Sequence, residues 1–170
     1  GTLNVKWLNG IVAGNLKASV EYLLKPVKTE FNKYPKYIFD DPVNKFYAET
    51  VNIFNNNTDQ NGNAKVTFDP GSDLRAPGML NAVFTIRAKE NGGDESITQS
   101  VWKFAPYSVF AGINLPGLQG KGRTLFTDTE NEIKIITVDE NGKPVRSEVE
   151  LNIYKISYRW WWESNEENLA

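Results

Sequence analysis

The residues with the best spacing for chemistry lie in the run Asn57-x-Asp59-x-Asn61-Gly62. This run is similar to the first half of an EF-hand-type calcium loop, in which oxygen ligands alternate along a turn. Its first position lacks the usual Asp, and its twelfth position, where a bidentate Glu is needed, is Phe68. We therefore interpret the run as a turn that precedes a strand, and we predict no metal site in it.

The adjacent carboxylates Asp40 and Asp41 are a weaker candidate, as half of an acid–base pair. Pro42 follows them directly, and no motif places a second acidic partner. Asp side chains often accept hydrogen bonds from nearby backbone N–H groups in turns. We interpret the two residues as a loop cap or a solvated turn.

The glycine-rich segment Pro116–Gly122 is faintly similar to a phosphate-binding loop, but it lacks a Gly-Lys-Ser/Thr ending and no helix follows. We interpret it as a flexible loop. Asn56-x-Thr58 fits a glycosylation sequon, which means little without evidence for a eukaryotic secretory route.

The composition excludes several kinds of active site. The chain has 170 residues without Cys or His, which removes Cys and His nucleophiles or bases, thiolate zinc sites, disulfides and histidine metal ligands. The net charge is −2 with scattered basic residues, so the sequence has no electrostatic footprint for nucleic acid. No apolar run approaches the roughly 20 residues that span a bilayer. We predict a chain that is not an enzyme and that needs no cofactor.

The most aromatic stretch lies at residues 148–162. It alternates with period 2, and its apolar phase shifts by one residue near Ile153 and Tyr154, which predicts one long strand with a β-bulge. Its end contains the candidate interaction residues, which are Tyr158, Trp160, Trp161 and Trp162. These rings would fill the core and rim of a sandwich where further protein covers the sheet. The alternative is a carbohydrate- or cell-surface-binding module that stacks its ligand on these rings or on the aromatic loop Phe31–Phe39.

Short strands must position these residues. Alternation predicts strands at residues 3–8, 17–25, 46–54, 64–68, 80–88, 95–104, 107–113, 132–139 and 145–162. Turn signals separate them, including Asn9-Gly10, residues 55–63 and Glu140–Lys143. Residues 27–45 are irregular and aromatic, which suits a long loop held by its rings.

This pattern is the signature of an all-β chain of immunoglobulin- or fibronectin-III-like antiparallel sandwiches. Pro106 marks the predicted boundary between one sandwich at residues 1–105 and a second unit at residues 106–170. The second unit has only four or five predicted strands, whereas a sandwich of this kind needs about seven. We expect it to be a partial domain.

Three groups of segments resemble the bacterial α2-macroglobulin family. The opening and the middle of the first unit resemble the fifth macroglobulin-type domain, in Val5–Gly14 with Leu16–Glu21, and in Tyr37–Pro42 with Asp59–Ala64. The second unit resembles the first part of the sixth domain, in Tyr107–Ile113, Val138–Pro144 and Leu151–Trp162. The ending Tyr-Lys-Ile-x-Tyr-Arg-Trp-Trp-Trp is the most specific of these matches.

The resemblance implies two macroglobulin-type domains of a large protease-trapping inhibitor, the parent protein. It implies that this parent is secreted or held at the bacterial periplasm or cell envelope, and that one form of it is a membrane-anchored lipoprotein. It implies a bait segment inserted in the sixth domain after the Trp-rich strand, so that Glu163–Ala170 is the approach to the bait. The implied partners are the neighbouring domains of the parent chain, and target proteases met through the bait. The expected role of this chain is a non-catalytic frame that relays bait cleavage.

Overall fold

The computed structural model describes residues 1–71, 73–90, 92–115 and 129–153. Over these ranges the chain forms strands and no helix, so no described helix could cross a membrane. The strands are β1 (Thr2–Asn4), β2 (Lys17–Pro26), β3 (Val51–Asn57), β4 (Asn63–Lys65), β5 (Leu80–Lys89), β6 (Glu95–Phe104), β7 (Val109–Asn114) and β8 (Lys134–Asp139). All their pairings are antiparallel, which confirms the predicted fold class.

The largest sheet has the order β3-β2-β5-β6. Strands β2 and β5 pair along their whole length, from Lys17 opposite Lys89 to Pro26 opposite Leu80. Side chains alternate between the two faces of a strand, and the predicted inward residues of β2 are buried: Ala18, Val20, Tyr22 and Leu24. The period-2 pattern of these two strands therefore correctly predicted both their extent and their buried face.

A two-stranded sheet of β1 and β4 covers part of this inward face. The core between the sheets is aromatic: the ring of Phe68 lies edge-on to Tyr22, Phe84 and Phe104, at centroid distances of 4.9, 5.1 and 5.6 Å. Leu80, at the start of β5, is fully buried beside this cluster. The first part of the chain is thus a sandwich with its own apolar core.

Two turns repeat one hydrogen-bond pattern. Asp59 Oδ1 accepts hydrogen bonds from the backbone N–H groups of Asn61 and Asn63 at 2.8 and 2.7 Å. Asp139 Oδ1 does the same with the residues two and four positions later, both at 2.8 Å. In each turn the glycine three residues after the Asp has a positive φ, 70° at Gly62 and 75° at Gly142. The interpretation of this run as a turn is confirmed over residues 58–62, whereas Asn57 still belongs to β3. The hairpin turn predicted at 140–143 is also confirmed.

Strands β7 and β8 form a separate two-stranded sheet, with Val109 opposite Asp139 and Asn114 opposite Lys134. They lie within or close to the strands predicted at 107–113 and 132–139. The division at Pro106 stays a prediction, because the second apolar cluster described below contains residues from both of its sides.

Three predicted strands of the first unit are wrong in part. The strand expected at 3–8 is β1, which ends at Asn4. The strand expected at 46–54 begins only at Val51 and continues to Asn57, and the one expected at 64–68 ends at Lys65. Phe46, Val66 and Phe68 still pack against the core. The alternation of apolar and polar residues in the latter two segments reflects the burial of every second side chain. A β-strand also needs the backbone of a neighbouring strand as a hydrogen-bond partner.

The long strand predicted from Val145 does not form over residues 145–153. Val145 bonds Thr137 of β8 through its backbone N–H at 3.0 Å, and the pairing goes no further. Val149, Leu151 and Ile153 are 39%, 47% and 76% exposed, so neither a ladder nor a core holds this segment. The predicted bulge and the remainder of the strand extend beyond the described residues.

Candidate functional site: the aromatic junction

A second apolar cluster joins the 27–45 loop to the β7–β8 hairpin. Its buried members are Phe31, Phe39, Met79, Phe110 and Val138, and we call this set the aromatic junction. Phe31 and Phe39 come from the loop, and Met79 immediately precedes β5. Phe110 and Val138 lie opposite each other on β7 and β8. The junction therefore connects residues on both sides of the predicted boundary at Pro106.

The rings of the junction pack edge to face. Phe31 lies 4.8 Å from Phe39 and 5.9 Å from Phe110, centroid to centroid, and both pairs have this geometry. Tyr107 packs edge-on against Phe110 at 6.0 Å. Edge-to-face pairs contribute about 0.5–1.5 kcal/mol each beyond the burial of their area. Phe31 is the central ring, because it contacts both Phe39 of the same loop and Phe110 of the hairpin.

A partly buried set of hydrogen bonds holds the loop in the shape that presents these rings. Both carboxylate oxygens of Asp40 accept the backbone N–H of Thr29 at 3.1 Å. The Thr29 hydroxyl oxygen, in a residue only 3% exposed, accepts the backbone N–H of Met79 at 2.7 Å. Asp41 Oδ1 accepts the backbone N–H of Val43 at 2.9 Å. The prediction that the Asp40–Asp41 pair caps a loop is confirmed.

The main chain also crosses the junction. Ile38 and Ile113 exchange two backbone hydrogen bonds, of 2.8 and 2.9 Å. Tyr107 adds a side-chain link, because its hydroxyl donates to the Ala76 carbonyl at 2.7 Å and accepts the Ala76 N–H at 2.9 Å. Apolar packing, backbone bonds and the Tyr107 hydroxyl thus fasten the hairpin to the first sandwich.

We expect Tyr107→Phe to lower the free energy of unfolding by about 1–3 kcal/mol, because the substitution leaves the backbone N–H and carbonyl of Ala76 without their partner. Urea denaturation followed by tryptophan fluorescence measures this loss. Tyr47→Phe is the matched control, since Tyr47 is 82% exposed. Equal stability of the two variants would contradict the role assigned to the hydroxyl.

Two glycines permit the close approach of the rings. A Cβ on Gly112 of β7 would lie 2.4 Å from Cε1 of Phe39, and one on Gly142 would lie 2.7 Å from Cδ1 of Phe31. Real Cβ atoms do not come this close to other heavy atoms. Sequence reasoning missed Gly112, although a glycine inside a predicted strand is itself a signal that something approaches the backbone.

The charges near the junction are peripheral. Lys28 and Glu30 form an ion pair at 2.5 Å between two exposed side chains. The hydrogen bond and the charge of Glu30 raise the pKa of Lys28, and Lys28 lowers the pKa of Glu30 in the same way. Among the described residues, no ion pair connects the loop to the hairpin. Such exposed pairs contribute little, so the junction depends on packing and backbone hydrogen bonds.

The predicted interaction residues Tyr158, Trp160, Trp161 and Trp162 lie outside the described residues, as does the segment Pro116–Gly122. Phe31 and Phe39 cannot serve the alternative of a stacking platform on the Phe31–Phe39 loop, because they are only 8% and 7% exposed and face other rings. Over the described ranges, no three acidic side chains gather in a way that could hold a metal ion.

Comparison with known proteins places both parts of the chain in one group. A family model described as "Bacterial Alpha-2-macroglobulin MG5 domain" matches residues 2–103, and one described as "Bacterial macroglobulin domain 6" matches residues 112–170. Among solved structures, the chain is similar to the native conformation of E. coli alpha-2-macroglobulin, with a TM-score of 0.56 and 16% identity. That likeness, which concerns the fold alone, covers 83% of this chain and 10% of the other. No curated protein matches.

Proposed function

The chain belongs to the bacterial alpha-2-macroglobulin family, and we propose that it frames the bait region of a longer, protease-trapping protein. Macroglobulin domains of this family support a structural role in such a protein. The finer proposal is that these domains perform no catalysis, and that they pass the effect of a bait cut from one domain to the next. We place the parent at the bacterial periplasm or cell envelope, with target proteases and its own neighbouring domains as partners.

The aromatic junction is the observation that carries this proposal. A cut can change the arrangement of distant domains only if it alters contacts that favour one arrangement over another. The junction supplies such contacts, because Phe31 packs on Phe110 while Ile38 bonds Ile113 across the same boundary. A displacement of the β7–β8 hairpin therefore has to move the 27–45 loop or break buried contacts.

The position of the bait relative to this chain is inferred from the family. The model of the sixth domain matches through residue 170, and in this family the bait is expected after the Trp-rich segment. We propose that Glu163–Ala170 approaches the bait, and that Tyr158 and Trp160–Trp162 anchor it to the frame. Three adjacent large rings offer much apolar area for such an anchor.

The test uses the intact parent with Trp160 and Trp162 both replaced by Ala. We expect the variant to be cut at the bait as before and to retain less of the attacking protease, because the cut end is no longer held to the frame. Protease that co-elutes with the inhibitor on gel filtration is the readout. Trp7→Ala with Tyr47→Ala is the control pair, since Trp7 and Tyr47 are 38% and 82% exposed and lie far from this segment in the sequence. Unchanged capture by a normally folded W160A/W162A variant would end the proposal.

A further inference from the structure

Residues 75–79 lie between the two apolar cores of the chain, and we call them the docking strip. Ala76 is buried in the core of the first sandwich, whereas Met79 is buried in the aromatic junction. The strip leads directly into Leu80, the first residue of β5. A movement at the junction can therefore reach the sheet of the first sandwich through this strip.

The docking strip bonds the 27–45 loop through its backbone. The Pro77 carbonyl accepts the N–H of Asp41 at 2.7 Å, and the Met79 carbonyl accepts the N–H of Val27 at 3.0 Å. The Met79 N–H donates to the Thr29 hydroxyl at 2.7 Å. The strip is thus a row of main-chain donors and acceptors on which the loop rests.

Tyr107 of the second unit bonds the same strip. Its hydroxyl engages both the N–H and the carbonyl of Ala76, at 2.9 and 2.7 Å. Gly78 leaves no room between the strip and the loop, because a Cβ at this position would clash with the carboxylate of Asp40. The loop and Tyr107 therefore meet the first sandwich on one short stretch of backbone.

The contact between the 27–45 loop and the β7–β8 hairpin is of another kind. Phe31 packs edge-on against both Phe39 and Phe110, and all three rings are buried. Ile38 and Ile113 bond each other twice through the backbone. Strand β7 also pairs with β8, so at this point β7 lies between β8 and the loop.

The two interfaces differ in what their separation would cost. Separation of the buried rings exposes apolar area to water, which is unfavourable. Separation of the loop from the strip lets water replace each hydrogen-bond partner, so the net loss per bond is small. Of the junction's members, Met79 alone comes from the strip. The chain therefore opens more easily at the strip than between the loop and the hairpin.

We propose that the 27–45 loop and the β7–β8 hairpin form one body, docked on residues 75–79. In sequence the loop belongs to the part that the model of the fifth domain matches, but in space it goes with the second unit. A displacement of the hairpin carries the loop with it and separates from the first sandwich at the docking strip. In the parent, the strip is then the place where the proposed relay enters the first sandwich, and to that extent the proposal rests on the proposed function.

Amide hydrogen exchange of the chain, resolved by residue with NMR, tests this arrangement. Gly78→Ala crowds the strip, and we expect it to speed exchange at the Asp41 and Met79 amides by about tenfold or more, because the strip opens more often. The Ile38 and Ile113 amides should stay within about threefold of their original rates, since they bond each other inside the body.

Three further variants complete the test. Tyr107→Phe loosens the strip without crowding it, and it should speed exchange at the same two strip amides. Gly112→Ala acts inside the body and should instead speed exchange at Ile38 and Ile113. Gly92→Ala, at a position with no atom within 4 Å of the new Cβ, is the control and should change none of these rates.

Two results overturn the proposal. In the variants that retain the fold, G78A or Y107F, equal acceleration at the strip and at the Ile38–Ile113 pair would mean that the loop leaves the hairpin when the strip loosens. Unchanged exchange of the strip amides in both variants would mean that the strip does not hold the body. The measurement involves neither bait nor protease, so it can fail while the capture test of W160A/W162A succeeds, and the reverse.

Discussion

Phe31→Ala is expected to lower the free energy of unfolding by about 3–5 kcal/mol, the usual cost of removing a buried Phe side chain. Phe31 is 8% exposed, and its ring contacts both Phe39 and Phe110. The substitution would leave a cavity at the centre of the aromatic junction. Urea denaturation monitored by circular dichroism measures the loss.

Tyr47→Ala is the matched control for this prediction. Tyr47 is a ring in the segment that follows the 27–45 loop, and it is 82% exposed, so its removal should change stability by about 0.5 kcal/mol or less. A Phe31→Ala variant no less stable than Tyr47→Ala would show that the junction does not hold the chain together.

Amide hydrogen exchange locates the effect. If Phe31 fastens the hairpin to the first sandwich, its loss should speed exchange in β7 and β8 more than in β2 and β5, whose core is separate. Uniform acceleration in all four strands would instead indicate a single cooperative unit. That outcome would contradict the proposal that the aromatic junction passes structural changes between the β7–β8 hairpin and the first sandwich.

The sequence predicted the parts of the fold that depend on local pattern. Strands β2 and β5 were predictable because every second residue is apolar along most of their length, as in Ala18, Val20, Tyr22 and Leu24. The turns at Asp59 and Asp139 were predictable because Asp bonds the backbone two and four residues on, and Gly supplies the positive φ. Both signals act within a few residues and need no distant partner.

The aromatic junction was only half predictable for the same reason. The sequence indicated that rings hold the 27–45 loop, and that Asp40 and Asp41 cap it. It could not indicate that Phe31 packs on Phe110, because no local period connects a loop to a strand so much later in the chain. Alternation likewise overpredicted a strand at residues 145–153, since it shows which side chains could be buried and not whether a neighbouring backbone is present to bond.

Gly112→Ala tests the close approach in the junction with the smallest change available, one methyl group. Its Cβ would lie 2.4 Å from Cε1 and 2.7 Å from Cζ of Phe39. The Phe39 ring cannot simply turn away, because Phe31 packs edge-on against it at 4.8 Å. We expect the free energy of unfolding to fall by about 1–3 kcal/mol, as for other overpacked cores.

Gly92→Ala is the control, because no atom lies within 4 Å of the position that its Cβ would take and its φ is not in the left-handed region. It should leave stability unchanged or raise it by about 0.4–1 kcal/mol through the unfolded state. Equal effects of the two glycine substitutions would contradict a clash between the new methyl group and the ring of Phe39.

A double-mutant cycle then assigns the clash to Phe39. Phe39→Leu removes the edge of the ring that the new methyl group would strike, so G112A should cost less in the F39L background than in the original chain. We expect a coupling of about 0.5–3 kcal/mol, the range found for residues in direct contact. If the losses of stability in G112A and F39L simply add, Gly112 is required for some reason other than Phe39. The tight fit between β7 and the 27–45 loop would then no longer explain why a glycine occupies the middle of this strand.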